Sequence, residues 1–351
     1  MATAETRAVV TGGAGFIGSQ LTERLLSDGR DVLVIDSLET GRNEFVPQAA
    51  EFSELDLRSD TLETALEGFD PHEIFHLAAI HYVPYCNENP GEAFDVNIMG
   101  TRNLFESVKE ISTVETVVNT SSAAVYPSRE RALSEDVTPD PMDVYGKTKL
   151  VGEDLANRLG TESEVTTVSA RLFNVYGPQE TNPHLIPAIL EQIRDGSETI
   201  ELGNLSPRRD FVHVDDVTRA LMALADLDES APRAFNVGSG KAWSVQEVAE
   251  AVGSALESDI EIEQEASRVR ESDRPHLEAD IDRIERETDW SPQIGLRKGL
   301  SDLLEHQQPK QEPGRGGGTR TSRSTYLEQR ATQSGPGKQR PEGIPRTTQY
   351  E

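Results

Sequence analysis

The chain has 351 residues, with 34 Lys+Arg against 62 Asp+Glu, a formal charge of −28, and a single cysteine, Cys86. That acidic surplus repels phosphates and argues against a general nucleic-acid or anionic-membrane partner, while one thiol excludes an internal disulfide and any cysteine-built zinc cage. No run reaches the ~20 apolar residues that span a bilayer. The start MATAETRAVV runs into a strand without a signal-peptide pattern, so a cytoplasmic protein is expected, its acidity suited to a salty interior that screens charges.

Between residue 7 and about 305, short β-branched runs alternate with helical patterns, which predicts a doubly wound parallel sheet in an α/β fold. The runs are Ala8–Val10, Val32–Ile35, Ile74–Ala79, Thr116–Asn119 and Val165–Ala170. Behind the first comes TGGAGFIG, Thr11 to Gly18, whose Gly12, Gly15 and Gly18 open an amphipathic helix carrying Phe16, Ile17, Leu21 and Leu25. Glycines there let the backbone turn tightly against a pyrophosphate placed at the helix N-terminus. The second strand ends at Asp36, an acid suited to the ribose hydroxyls of NAD. Arg42, close behind, leaves a 2′-phosphate and hence NADP open.

His72-Glu73-Ile74-Phe75-His76 spells the zinc motif H-E-x-x-H. That motif requires a helix, and this stretch reads as the fourth strand, so no metal is expected. Asn119-Thr120-Ser121 is a formal glycosylation sequon, but it lies at a buried strand end.

The strand from Thr116 runs into SSAAVY, Ser121 to Tyr126, and a helix begins at YGKTK, Tyr145 to Lys149. Tyr145 and Lys149, four apart, share a helix face. A tyrosine ordinarily titrates near ~10, and a neighbouring ammonium is expected to lower that value and make a base. Cys86 has no neighbour in sequence that would activate it as a nucleophile.

The ordered series TGGAGFIG, VIDSLETG, LDLRS, HLAA, NIMGTRNLFE, TSSAAVY, YGKTK, RLFNVYGP, RDFVHVDD, FNVGSG and RESD resembles the extended short-chain dehydrogenase/reductase family, in its NAD-dependent sugar epimerase/dehydratase group. The resemblance implies an NAD-binding Rossmann domain over 1–175 and about 211–240, with a smaller interleaved nucleotide-sugar lobe over 176–210 and 241–305. It implies cofactor contacts from Gly12, Gly15, Phe16, Ile17, Gly18, Asp36, Asp56, Leu57, Ala78, Ala79, His81, Asn97, Tyr145 and Lys149. Ser122, Tyr145 and Lys149 match the catalytic trio, and Asn174, Arg209 and Arg270 match substrate contacts, the two arginines as a diphosphate clamp. Asp210 is expected to orient its segment. Dimerisation through the helices around Thr101–Lys109 and Tyr145–Leu159 is implied as well. Pro84 and Cys86 stand where relatives more often have glycine and serine.

Dehydratases of this group carry an Asp-Glu pair after the catalytic hydroxyl. Ala123 and Ala124 stand there and can move no proton. The expected activity is therefore a UDP-hexose-type 4-epimerase that oxidises C4, lets the flat keto sugar turn over, and re-reduces its other face. A dehydratase or decarboxylase, a keto-sugar reductase and an NAD-sensing regulator are the competing readings. From His306 the chain turns Gly/Pro/Gln/Arg-rich, with eight Lys/Arg and four Asp/Glu. This tail, 306–351, carries +4 and leaves −32 on the rest. It has too few apolar residues for a core and is expected to be disordered.

Overall fold

The computed structural model describes residues 6–180, 182–197, 199–227, 233–257, 260–269 and 274–307. The expected tail beyond Gln307, and Arg270, lie outside the described residues.

The strands are β1 (Arg7–Thr11), β2 (Asp31–Asp36), β3 (Glu51–Glu54), β4 (Glu73–His76), β5 (Thr116–Ser122), β6 (Thr166–Leu172), β7 (Asn174–Tyr176), β8 (Thr199–Leu202), β9 (Arg208–His213), β10 (Arg233–Val237), β11 (Ala242–Ser244), β12 (Glu261–Gln264) and β13 (His276–Leu277). The helices are α1 (Phe16–Ser27), α2 (Leu62–Phe69), α3 (Val83–Glu88), α4 (Pro90–Phe94), α5 (Gly100–Lys109), α6 (Val144–Glu162), α7 (Leu185–Arg194), α8 (Val214–Ala225), α9 (Val245–Ala255), α10 (Asp282–Glu287) and α11 (Leu296–Gln307). All five expected apolar runs are strands, although the third stops at His76 and releases Leu77–Ala79 into a loop.

Seven strands form one parallel sheet in the order β10-β6-β5-β4-β1-β2-β3, with crossovers to either side of β1. Period-2 alternation decides which helices each strand meets. Ala8 and Val10 face Leu21 and Leu25 of α1 and Leu221 and Leu224 of α8. Val9, between them, faces Leu66 of α2, Leu104 and Val108 of α5 and Leu159 of α6. Strands apolar on both faces are what a sheet covered by helices on both sides requires. Each fully buried Leu or Val contributes about 1.5–3 kcal/mol. This is the Rossmann-like α/β fold.

β11, β9 and β13 form a smaller sheet, with β7 pairing β9, and β8 pairs β12 separately. A third core of Ile186, Ile189, Leu202, Phe211, Val248 and Leu300 knits these strands to α7, α9 and α11. Among the described residues no helix is long and apolar enough to cross a membrane.

Glu73–His76 of HEIFH is strand, with His72 just before it, in keeping with the Asp70-Pro71 flank. His72 Nδ1 accepts from the Arg7 amide at 3.0 Å, while His76 lies buried between the Thr11 and Thr101 hydroxyls, 2.8 Å from each. Burial pushes His76 down to about 3, so the ring is a neutral structural link.

Candidate active site

A cleft of about 1500 Å3 opens where the chain crosses over at the C-terminal ends of β1, β2, β4 and β5, the place where open α/β sheets bind ligands. The β1–α1 turn forms one wall. Gly12 sits at φ +72°, and a Cβ on it would lie 2.7 Å from the Ala78 amide nitrogen. A Cβ on Gly18 would collide with the Gly12 carbonyl. The glycines are thus demanded by how closely β4's exit and the helix approach the turn. The α1 N-cap, Gly15, offers no capping side chain, and the first turn holds no acid. Its amide groups and dipole remain for an anion.

Asp36 closes this wall. Its Oδ2 accepts from the Ala14 amide at 3.0 Å and its Oδ1 from the Leu38 amide at 2.8 Å, while burial pushes its carboxyl upward. Gly12, Gly15, Phe16, Ile17, Gly18, Asp36, Asp56, Leu57, Ala78, Ala79 and His81 all line the cleft. A glycine cradle with an uncapped helix N-terminus and a carboxylate at the next strand end is the donor set that an adenine dinucleotide requires. Arg42 instead lies half exposed over the Phe45 ring, 3.9 Å from Glu44. Asn97 lies buried behind this loop: its Oδ1 accepts from the Ile80 amide, and its Nδ2 donates to the Ile80 carbonyl and Thr148. These bonds tie the β4 exit loop, whose Ile80 lines the cleft, to α6.

Ser122 ends β5, and its Oγ accepts from the Ala124 amide at 3.1 Å, starting a short turn over Ala123–Val125. Asp143 caps α6 by accepting from the Gly146 amide at 2.8 Å, which brings Tyr145 to the cleft in the first helical turn. Tyr145 and Ser122 both line the cleft. One turn on, Lys149 Nζ lies 5.8 Å from the centre of the Tyr145 ring and donates to the Thr120 carbonyl at 2.8 Å. Burial lowers Lys149 to about 8 and raises Tyr145 above its ordinary value, with Cys86 and Asp143 adding to the rise. The expected depression of Tyr145 is therefore absent in the protein alone: desolvation raises the phenol, and the opposing influence comes from the Ser122 hydroxyl. Cys86 is buried and pushed up to about 11, so its thiol stays neutral. Val125 is packing, and Tyr126 is buried, donating to Asn236 Oδ1 at 2.7 Å.

Across the cleft stand Asn174 and Arg209. Arg209 Nη1 donates to the carbonyls of Arg208 and Arg274 at 2.9 and 2.7 Å. Asp210 is fully buried, and its two oxygens accept from Ser239, Gly240 and Ala279, so it organises the segment.

Three features escaped the sequence reading. The expected contact His81 is exposed to the cleft yet walled by protein, and its unforeseen neighbours are Asn182, paired with it, and His184, edge-on to it and 2.8 Å from Glu180. Burial holds His81 down to about 4, neutral at ordinary pH. Glu153, one turn beyond Lys149, grips the buried Arg171 and accepts from Ser121. Its spacing from Tyr145 and Lys149 on α6 was the available signal. Arg274 reaches the turn beside Ser122 from a distant segment, and no local pattern announced it.

The NAD dependent epimerase/dehydratase family matches residues 8–238. A UDP-glucose 4-epimerase of Mycolicibacterium smegmatis is 33% identical over 315 residues, spanning 85% of this chain and 97% of that protein. UDP-glucuronic acid decarboxylase 1 of Arabidopsis thaliana is 30% identical over 307 residues, spanning 85% of this chain and 69% of that protein. The crystal structure of a Thermus thermophilus UDP-glucose 4-epimerase in complex with NAD superposes with a TM-score of 0.79 at 31% identity, covering 86% of this chain and 98% of that one. A dinucleotide cradle, a Ser–Tyr–Lys cluster and these likenesses converge: the chain belongs to the NAD-dependent epimerase/dehydratase family, with NAD as its cofactor.

Proposed function

We propose that this protein is a nucleotide-sugar 4-epimerase acting on a UDP-hexose. The carrying observation is that Ser122, Tyr145 and Lys149 line one cleft, with Lys149 Nζ 5.8 Å from the centre of the Tyr145 ring, and that Ser122 is followed by Ala123 and Ala124, which can move no proton. NAD, held along the Gly12–Gly18 turn, supplies reversible hydride acceptance. Ser122 orients the sugar's 4-hydroxyl, and Tyr145 takes its proton and later returns it. Lys149 supplies the positive charge that stabilises the phenolate. Asn174 and Arg209 hold the diphosphate while the 4-keto sugar turns over, so remote binding energy retains the intermediate. A homodimer through α5 and α6 and a cytoplasmic setting belong to the same reading.

Incubation with UDP-, GDP- and dTDP-sugars, followed by chromatography, tests it. UDP-glucose and UDP-galactose should interconvert without added reductant. The decarboxylase relative supplies the competing reading, which release of CO2 from UDP-glucuronate would establish instead. Absence of turnover on every 4-hydroxyl sugar nucleotide overturns the proposal.

A further inference from the structure

The turn that follows Ser122 carries no chemistry in its side chains, but its carbonyls are engaged. Arg274, in the segment leading to β13, donates from Nη1 to the Ala123 carbonyl at 3.2 Å and from Nη2 to the Ala124 carbonyl at 3.0 Å. The same Nη2 lies 3.8 Å from Asp143 Oδ2, while the other oxygen of that carboxylate caps α6. The guanidinium lines the cleft with its side chain 11% exposed. Behind it, the Arg274 carbonyl accepts from Arg209, and the Pro275 carbonyl accepts from the Arg208 amide at 2.9 Å. On the far side, a Cβ on Gly146 would collide with the Ala124 carbonyl. That carbonyl is therefore seated between the first turn of α6 and Arg274.

We infer that Arg274 is a positioning residue of this site. It fixes the Ser122 turn through two backbone carbonyls, balances the Asp143 carboxylate beside Tyr145, and ties both to Arg209 through its own backbone. The inference rests on the epimerase reading for the role of Tyr145, and on geometry for everything else.

The physical reason is electrostatic as well as mechanical. Among the described residues, four ionisable groups face the phenol or its partner carboxylate. They are Cys86 from α3, Asp143 at the α6 cap, Lys149 from α6 and Arg274 from the segment before β13. Cys86 is neutral and Lys149 is spent in part on Thr120, so Asp143 is the carboxylate that opposes phenolate formation. A guanidinium hydrogen-bonded to carbonyls in a fixed fork sits within ion-pair range of it. Loss of that cation exposes Tyr145 to the whole Asp143 charge.

Titrating the NAD-loaded protein by the near-ultraviolet difference absorption of tyrosinate, with Tyr145→Phe as the subtraction control, gives a readout besides turnover. Arg274→Gln should move the Tyr145 midpoint upward by about half a pH unit, roughly a threefold loss of phenolate at a given pH. Arg274→Lys keeps the charge and should keep the midpoint while lowering kcat. Asp143→Asn retains a good helix cap, and in the Arg274→Gln background it should restore the midpoint. An unchanged midpoint in Arg274→Gln, with activity lowered equally at every pH, overturns the inference. So does a shift that survives Asp143→Asn. Full activity in Tyr145→Phe would sink the epimerase mechanism instead, and the tyrosinate titration would still judge Arg274.

Discussion

Lys149 gives its ammonium to the Thr120 carbonyl, 2.8 Å away, on the strand that ends two residues later at Ser122. One bond thus registers the helix carrying Tyr145 against the strand carrying its partner hydroxyl. It also holds a charge where burial disfavours one.

Replacing Lys149 should therefore separate stability from activity. With its value held down to about 8, the folded chain lacks, between pH 8 and the ordinary lysine value, a proton that the unfolded chain still holds. Stability from this group rises with pH across that window, and the full cost of the buried charge applies below it. Lys149→Met should raise the melting temperature at pH 7, by roughly 1–2 kcal/mol of stability, while lowering kcat by about 10²–10⁴. In the unmodified enzyme, kcat should fall as pH climbs past about 8. A destabilised Lys149→Met protein would show that the Thr120 bond outweighs desolvation.

Tyr145→Phe removes one oxygen and leaves the ring in place. Turnover of UDP-glucose should drop by about 10²–10⁴, with NAD content after purification unchanged. Retained turnover would move the proton transfer to another group.

Gly12→Ala places a methyl against the Ala78 backbone at a left-handed φ of +72°. The strain alone costs of order 1–3 kcal/mol, and the turn cannot relax without shifting the β4 exit. Purified variant should carry little NAD and melt several degrees lower. Wild-type NAD occupancy would mean that the turn tolerates widening.

The −32 carried by residues before the tail makes self-repulsion a large adverse contribution at low ionic strength. Screening length falls from about 10 Å at 0.1 M salt to about 3 Å at 1 M. Melting temperature should climb with KCl across that range, and a maximum at low salt would remove the salt-adaptation reading.

Much of this was legible because local rules suffice for it. Val9 between Ala8 and Val10 announces a two-sided strand, TGGAGFIG announces its own turn, and YGKTK opens a helix. The short strands β7, β11 and β13 were not legible, since two or three residues carry no period and their pairing with β9 is set from far away. Tyr145's upward shift was equally hidden, because burial depends on everything that packs around the phenol.

The Glu153–Arg171 pair has a consequence in heredity. Its carboxylate also receives Ser121, and the guanidinium donates to the Tyr126 hydroxyl, which in turn reaches Asn236. Loss of either charged partner strands the other inside the protein at a cost of about 3–5 kcal/mol. Single substitutions at these two positions are steps into a pit, whereas a joint apolar replacement is passable. Descendants of this chain should keep Glu153 and Arg171 together or shed them together.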